Sequence, residues 1–189
     1  MGKIAGIVIV LLAFTVNAQK DIYVRPGLIS ASTTISPTMM LNRAESNYYI
    51  SGFLEGRLDD HLSFRGESHF FVDGNKDINY FKSNFRTHFG LQYHLSKNNF
   101  DANLGFLPGV ALMEVNRDLD MNGSRSMRVV PSFGINLGVS YYVWKFFHFF
   151  GNVSYFNSSV KGLSSPDAKS DEIMISAGLG YNINLIKKK

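Results

Sequence analysis

The chain has 189 residues, of which 18% are charged and 14% aromatic, with 17 Gly and no Cys. That length allows one domain with a sizeable core, and the missing thiols exclude a disulfide framework, a thiolate metal site and lipid attachment at an N-terminal Cys. Soluble domains usually carry about 25% charged residues; here the formal net charge is +4, and Lys187, Lys188 and Lys189 leave the body nearly neutral, which excludes a basic nucleic-acid-binding surface.

At the N-terminus Lys3 precedes an apolar run from Ile4 to Phe14, followed by Thr15-Val16-Asn17-Ala18. A short positive start, an apolar core and small residues before the cut predict a secretory signal peptide over residues 1–18, with the mature chain beginning at Gln19. No later run reaches the 18 or so apolar residues of a spanning helix. A mature chain that crosses a membrane must then do so as a closed barrel, because an open sheet edge in lipid leaves backbone groups unpaired.

Asp21 to about Ser32 is the first predicted strand. Ile22, Val24, Pro26 and Leu28 suggest one face with Arg25 opposite, but Ser30 and Ser32 break the pattern. A polar connection, Thr33 to Asn47, leads to the clearest stretch of the chain, Tyr48 to Asp73. Its first half puts Tyr48, Ile50, Gly52, Leu54, Gly56 and Leu58 on one face and Ser51, Phe53, Glu55 and Arg57 on the other. After Asp59-Asp60-His61 the alternation resumes, with Leu62, Phe64, Gly66, Ser68, Phe70 and Val72 opposite Ser63, Arg65, Glu67, His69 and Phe71. Because side chains alternate across a strand, this is a hairpin with one charge-free and one charged face. Pairing Leu58 with Leu62 sets Glu55 across from Arg65.

A connection from Gly74 to Asn84 precedes the fourth predicted strand, Phe85 to Leu95, which separates Arg86, His88, Gln92 and His94 from an apolar face. The turn Ser96-Lys97-Asn98-Asn99 leads to the fifth, Phe100 to about Val115; if Leu95 faces Phe100, His94 meets Asp101. Pro108 and Gly109 predict a bulge or bend, since Pro cannot donate to a ladder. After Asn116 to Met127, the sixth strand runs from Val129 to Val143, with a turn at Trp144-Lys145-Phe146. The seventh covers Phe147 to Phe156, and after Asn157 to Asp171 the eighth covers Glu172 to Ile186.

The result is eight strands joined by alternately long and short connections, the asymmetry of outer-membrane barrels. The bare face is expected to meet lipid and the charged face to fill the lumen. Tyr93, Phe100, Tyr141, Trp144, Phe146, Phe147 and Tyr181 near the short turns, and Tyr48, Phe70, Phe85 and Tyr155 near the long loops, form two aromatic belts at headgroup level. An eight-stranded interior is just wide enough for side chains to fill. Glu55, Arg57, Arg65, Glu67, His69, Arg86, His88, His94 and Asp101 make the expected lumen charge network, reaching towards a wall of Gly, Ala, Ser and Asn on strands five, six and eight. Its role is structural, closing the lumen to solutes of appreciable size.

Over nearly all of residues 20 to 186, this pattern resembles the small eight-stranded outer-membrane barrels of the OmpA/OmpX type. The resemblance implies an all-β, antiparallel up-and-down transmembrane β-barrel over residues 19–189, in the outer membrane of a Gram-negative cell. It implies surrounding lipid and lipopolysaccharide, insertion by the barrel-assembly machinery, a monomer, and long loops outside. Such barrels often end on an aromatic residue used in assembly; this chain ends Asn184-Leu185-Ile186 and three lysines, so Tyr181, Ile183 and Leu185 are expected to serve instead.

Other chemistry is weighed against that frame. His61-Leu62-Ser63 resembles the His-x-Ser spelling of a barrel deacylase of lipid A, but lies in a short periplasmic turn, while lipopolysaccharide occupies the opposite leaflet. His69 points inward, and no Ser–His–acid spacing is recognisable. Asp118-Leu119-Asp120-Met121-Asn122-Gly123 matches the first half of a calcium loop, but Val129 stands where a bidentate Glu is needed, so an ordinary turn is expected. No phosphate loop, dinucleotide fingerprint or zinc spacing appears, so neither metal nor cofactor is expected. A lipid-modifying enzyme and an accessory barrel of a secretion or surface-assembly machine are the alternatives. A soluble lipocalin-like barrel would show water Phe53, Phe71 and Phe150 with few Lys or Glu, a poor solvated surface.

Overall fold

The computed structural model describes residues 23–116, 127–159 and 169–185. The expected signal peptide, the Asp118 to Gly123 stretch and the terminal lysines lie outside them. Eight antiparallel strands close into a barrel in sequence order: β1 (Leu28–Met40), β2 (Ser46–Arg57), β3 (Leu62–Gly74), β4 (Phe81–Lys97), β5 (Phe100–Val115), β6 (Arg128–Trp144), β7 (Phe147–Ser159) and β8 (Lys169–Asn184). Among the described residues no helix is long and apolar enough to cross a membrane, which says nothing of strands.

Closure leaves no sheet edge, and the alternation of each strand decides what each side of the wall carries. Ile50, Leu54, Phe64, Leu91, Phe106, Leu137, Val153 and Ile175 are exposed outside, whereas Glu55, Arg65, Glu67, Arg86, His94 and Asp101 are buried inside. The usual order of a soluble domain is inverted. Glu55 pairs with Arg65 across β2 and β3, the register expected from the Leu58–Leu62 turn.

The first strand lies further along the chain than expected. It begins at Leu28, after Gly27 turns the chain with φ 79°, and it absorbs the Thr33 to Met40 run read as connection. Ser30, Ser36 and Thr38 point into the lumen, and Ile35, Pro37 and Met39 point out, so small hydroxyls that look like loop chemistry are lumen filling. The first two long connections therefore shrink to residues 41–45 and 75–80, beside turns at 58–61, 98–99 and 145–146. Where β1 meets β8 the ladder runs at both ends but not between Ala31 and Thr38. There Thr34 Oγ1 donates to the Ala177 carbonyl at 2.8 Å and Ser36 Oγ lies 2.7 Å from Ser176 Oγ.

The β4–β5 turn is also shorter than expected. It is Asn98-Asn99, with Asn98 at φ 57°, a left-handed conformation that Asn tolerates. Lys97 therefore faces Phe100, and His94 sits opposite Asn103 rather than Asp101. At Pro108 the β4–β5 ladder skips Phe89 and Gly90 and resumes in the same register, a bend without a bulge. A Cβ on Gly90 would stand 2.1 Å from the Phe106 carbonyl oxygen, so only glycine allows the two backbones to approach this closely.

Two apolar plugs bound the lumen. At the long-loop end Met40, Tyr49, Phe71, Tyr80, Phe81, Met113, Phe156 and Met174 cluster together; at the other end Val24, Leu28 and Tyr142 do so. Outside, Phe146 stacks on Tyr181 at 6.0 Å and Trp144 packs on Phe146 at 5.5 Å, continuous with the short-turn aromatic belt.

Candidate functional site

The nine charged residues expected in the lumen lie between these plugs, each at most 8% exposed. They form three groups along the barrel axis. Nearest the short turns, Arg57 Nη2 donates to Asp101 Oδ1 at 2.8 Å, and its Nη1 donates to Ser96 Oγ at 2.9 Å. His94 bridges two acids: Nδ1 lies 2.8 Å from Asp101 Oδ2 and Nε2 lies 3.2 Å from Glu55 Oε1. The His94–Asp101 contact thus exists as a diagonal across the hairpin, since the register offsets the two by two residues.

In the middle, Arg65 lies between two carboxylates, 3.0 Å from Glu67 Oε2 and 3.4 Å from Glu55 Oε2. Its guanidinium covers the Phe53 ring at 3.9 Å, a cation–π contact strengthened by exclusion of water. With its amide suitably turned, Asn152 on β7 accepts from Arg65 Nη2 at 3.3 Å. His69 Nε2 lies 3.3 Å from Glu67 Oε1, and His88 Nε2 lies 2.9 Å from Ser132 Oγ.

Nearest the long loops, Arg86 on β4 donates to Glu172 on β8. Tyr49 Oη donates to Glu172 Oε1 at 3.3 Å and accepts from Asn84 Nδ2 at 2.9 Å, while Arg86 sits over the Tyr49 and Phe156 rings. Sequence reasoning missed Glu172 and Tyr49. Glu172 shares the parity of Met174 and Ser176, so its inward facing was available; that it answers Arg86 was not.

The arms cross because the far wall is thin. A Cβ on Gly138 would meet Asn152 Oδ1 at 2.1 Å, and one on Gly180 would meet His148 Cε1 at 2.1 Å. These glycines give their volume to amide and imidazole side chains from neighbouring strands. Among the described residues, two cavities inside the barrel measure about 10 Å³ each, room for about one water molecule. The large concavity, about 880 Å³, is instead on the outer wall over β1 to β4, floored by Gly52, Gly56 and Gly66 between Leu54, Phe64 and Phe89.

One arrangement has catalytic geometry. Ser63 Oγ lies 2.7 Å from His94 Nε2, and His94 Nδ1 meets Asp101, the order of a serine nucleophile, base and orienting acid. Strand pairing assembles it from β3, β4 and β5, so no sequence spacing announces it. Ser63 is fully buried, and the cavities nearby cannot admit an acyl group. His61, in the turn, stacks on Tyr93 at 5.8 Å, and its Nδ1 lies 3.3 Å from the His94 carbonyl oxygen.

No protein-family model matches the chain and no curated protein matches it. Solved structures do. The outer membrane protein OprG from Pseudomonas aeruginosa is 14% identical with a TM-score of 0.59, covering 85% of this chain and 97% of that one. Neisserial surface protein A (NspA) is 13% identical with a TM-score of 0.58, covering 84% and 96%. The N-terminal β-barrel domain of P. aeruginosa OprF is 13% identical with a TM-score of 0.57, covering 84% and 99%. At these identities the likeness is one of fold, and it agrees with the strand count, closure and wall polarity: the chain is an eight-stranded β-barrel with the fold of the small outer-membrane barrels of OmpA/OmpX type.

Proposed function

We propose that this protein is an integral barrel of the Gram-negative outer membrane, exported through a signal peptide at residues 1–18 and inserted by the barrel-assembly machinery. Its role is structural or one of surface interaction, exerted from the long-loop end, and it is neither a channel nor an enzyme. One observation carries this reading: the wall is apolar outside and ion-paired inside, an order that water would not support and lipid requires. Two features weigh against a pore: apolar side chains cluster at both ends of the lumen, and Arg57, Arg65 and Arg86 each contact an acidic partner. Any partner would be met by the loops, where binding residues concentrate on rigid scaffolds.

Fractionation of expressing cells tests this. The protein should enter the outer-membrane fraction, need detergent for extraction, and migrate faster unheated than boiled. Recovery in the aqueous fraction, or mobility indifferent to heating, contradicts it.

A further inference from the structure

A histidine pair and a carboxylate converge inside the barrel where no structural need explains all of their atoms. Glu67 and His69 alternate on β3, and His88 lies opposite Glu67 on β4. One ligand atom from each falls within 4.8 Å of the others, and all three side chains are buried. Their remaining polar atoms are occupied. His69 Nδ1 lies 2.9 Å from Ser51 Oγ, His88 Nε2 lies 2.9 Å from Ser132 Oγ, and Glu67 Oε2 accepts from Arg65. Metal-binding imidazoles are ordinarily held this way, one nitrogen on the ion and the other on a hydrogen-bond partner. His88 Nδ1 has no hydrogen-bond partner, although the residue is fully buried; a buried nitrogen in that state costs free energy unless something meets it.

We propose that Glu67, His69 and His88 bind one divalent transition-metal ion of the zinc class within the lumen. Two neutral imidazoles and a carboxylate suit zinc, cobalt or nickel better than calcium or magnesium, which prefer all-oxygen shells. Phe156 covers both imidazoles, with ring centroids 4.9 Å from His69 and 4.8 Å from His88, so the ion would be shielded from bulk water. A cavity of about 10 Å³, bordered by Glu67 and His69 but not by His88, lies beside the cluster. With no room for a substrate, the ion would be structural, fastening β3 to β4. This inference is independent of where the protein resides.

The test refolds the full-length mature chain into detergent micelles with zinc or cobalt present, because a filled lumen would delay entry afterwards. Folding of each sample is verified by heat-modifiable mobility. After free metal is removed, mass spectrometry should find one metal per barrel, the cobalt form should show ligand-field absorption of a nitrogen-containing shell, and zinc should raise the unfolding temperature. His88→Phe, which keeps a ring against Phe156, should weaken retention by at least about tenfold. Folded wild-type barrel that retains neither metal overturns the proposal, as does equal retention by folded His88→Phe. Should that variant not fold, the wild-type cobalt spectrum decides: an all-oxygen spectrum, or none, overturns it.

Discussion

Arg86 on β4 and Glu172 on β8, 86 residues apart in sequence, form an ion pair with neither side chain exposed. The two strands are four apart in an eight-membered ring, so the contact spans the lumen instead of following the wall. Removing one member strands the other, which for buried pairs costs about 3–5 kcal/mol. Glu172→Ala should lower the unfolding free energy in detergent by that amount. Replacing both, Arg86→Met with Glu172→Leu, should cost clearly less, because no lone charge remains. Urea titrations of the wild type, Arg86→Met, Glu172→Leu and the double variant measure the coupling.

The thin wall makes a second expectation. Gly180→Val puts side-chain atoms where His148 lies and should destabilise by about 1–3 kcal/mol. Gly56→Ala meets nothing within 4 Å and serves as the control. A similar loss for both in the same titration would deny that the inward glycines make room for neighbouring side chains.

Ser63, His94 and Asp101 have the order of a catalytic triad without an entrance. A fluorophosphonate probe, which reacts with activated serines, should leave the folded barrel unlabelled, and lipid A isolated with and without the protein should be identical by mass. Labelling that Ser63→Ala abolishes would instead favour a lipid-modifying enzyme.

The β2–β3 turn carries a pH dependence outside the spanning strands. Asp59 Oδ1 accepts from the backbone N–H groups of His61 at 2.7 Å and Leu62 at 2.8 Å, and these bonds hold its carboxyl below the usual range. Such bonds favour the charged form. With the folded value below the unfolded one, the turn is fully supported above the ordinary Asp range of about 3.9 and loses that support as pH falls through the lowered value. Carboxyl NMR titration should place Asp59 below the ordinary Asp value of about 3.9; a value at or above it would contradict the turn geometry.

The sequence made some of this architecture legible and hid the rest for physical reasons. Period-2 alternation exposed the β2–β3 hairpin and its Glu55–Arg65 pairing, because a one-residue slip would reverse every side chain. It failed at β1, where the lumen is lined by Ser30, Ser36 and Thr38 and the outer face also carries Thr33, so neither side contrasts with loop composition. The His94–Asp101 register was off by two because Ser96 and Lys97, polar enough for a turn, continue the strands. Glu172 went unnoticed as a partner because a contact between opposite strands depends on barrel diameter, which no local pattern records.

Wall orientation is tested most directly by nitroxide labels introduced singly at Leu54, Leu91 and Leu137, at Arg57 and at Arg86, with the protein reconstituted in lipid vesicles. Collision with oxygen should be high, and collision with a water-soluble nickel complex low, at the three leucine positions, as for probes in hydrocarbon, while the two arginine positions should be shielded from both reagents. Leucine-site labels hidden from oxygen, together with arginine-site labels open to the aqueous quencher, would mean that the barrel wall is the other way out.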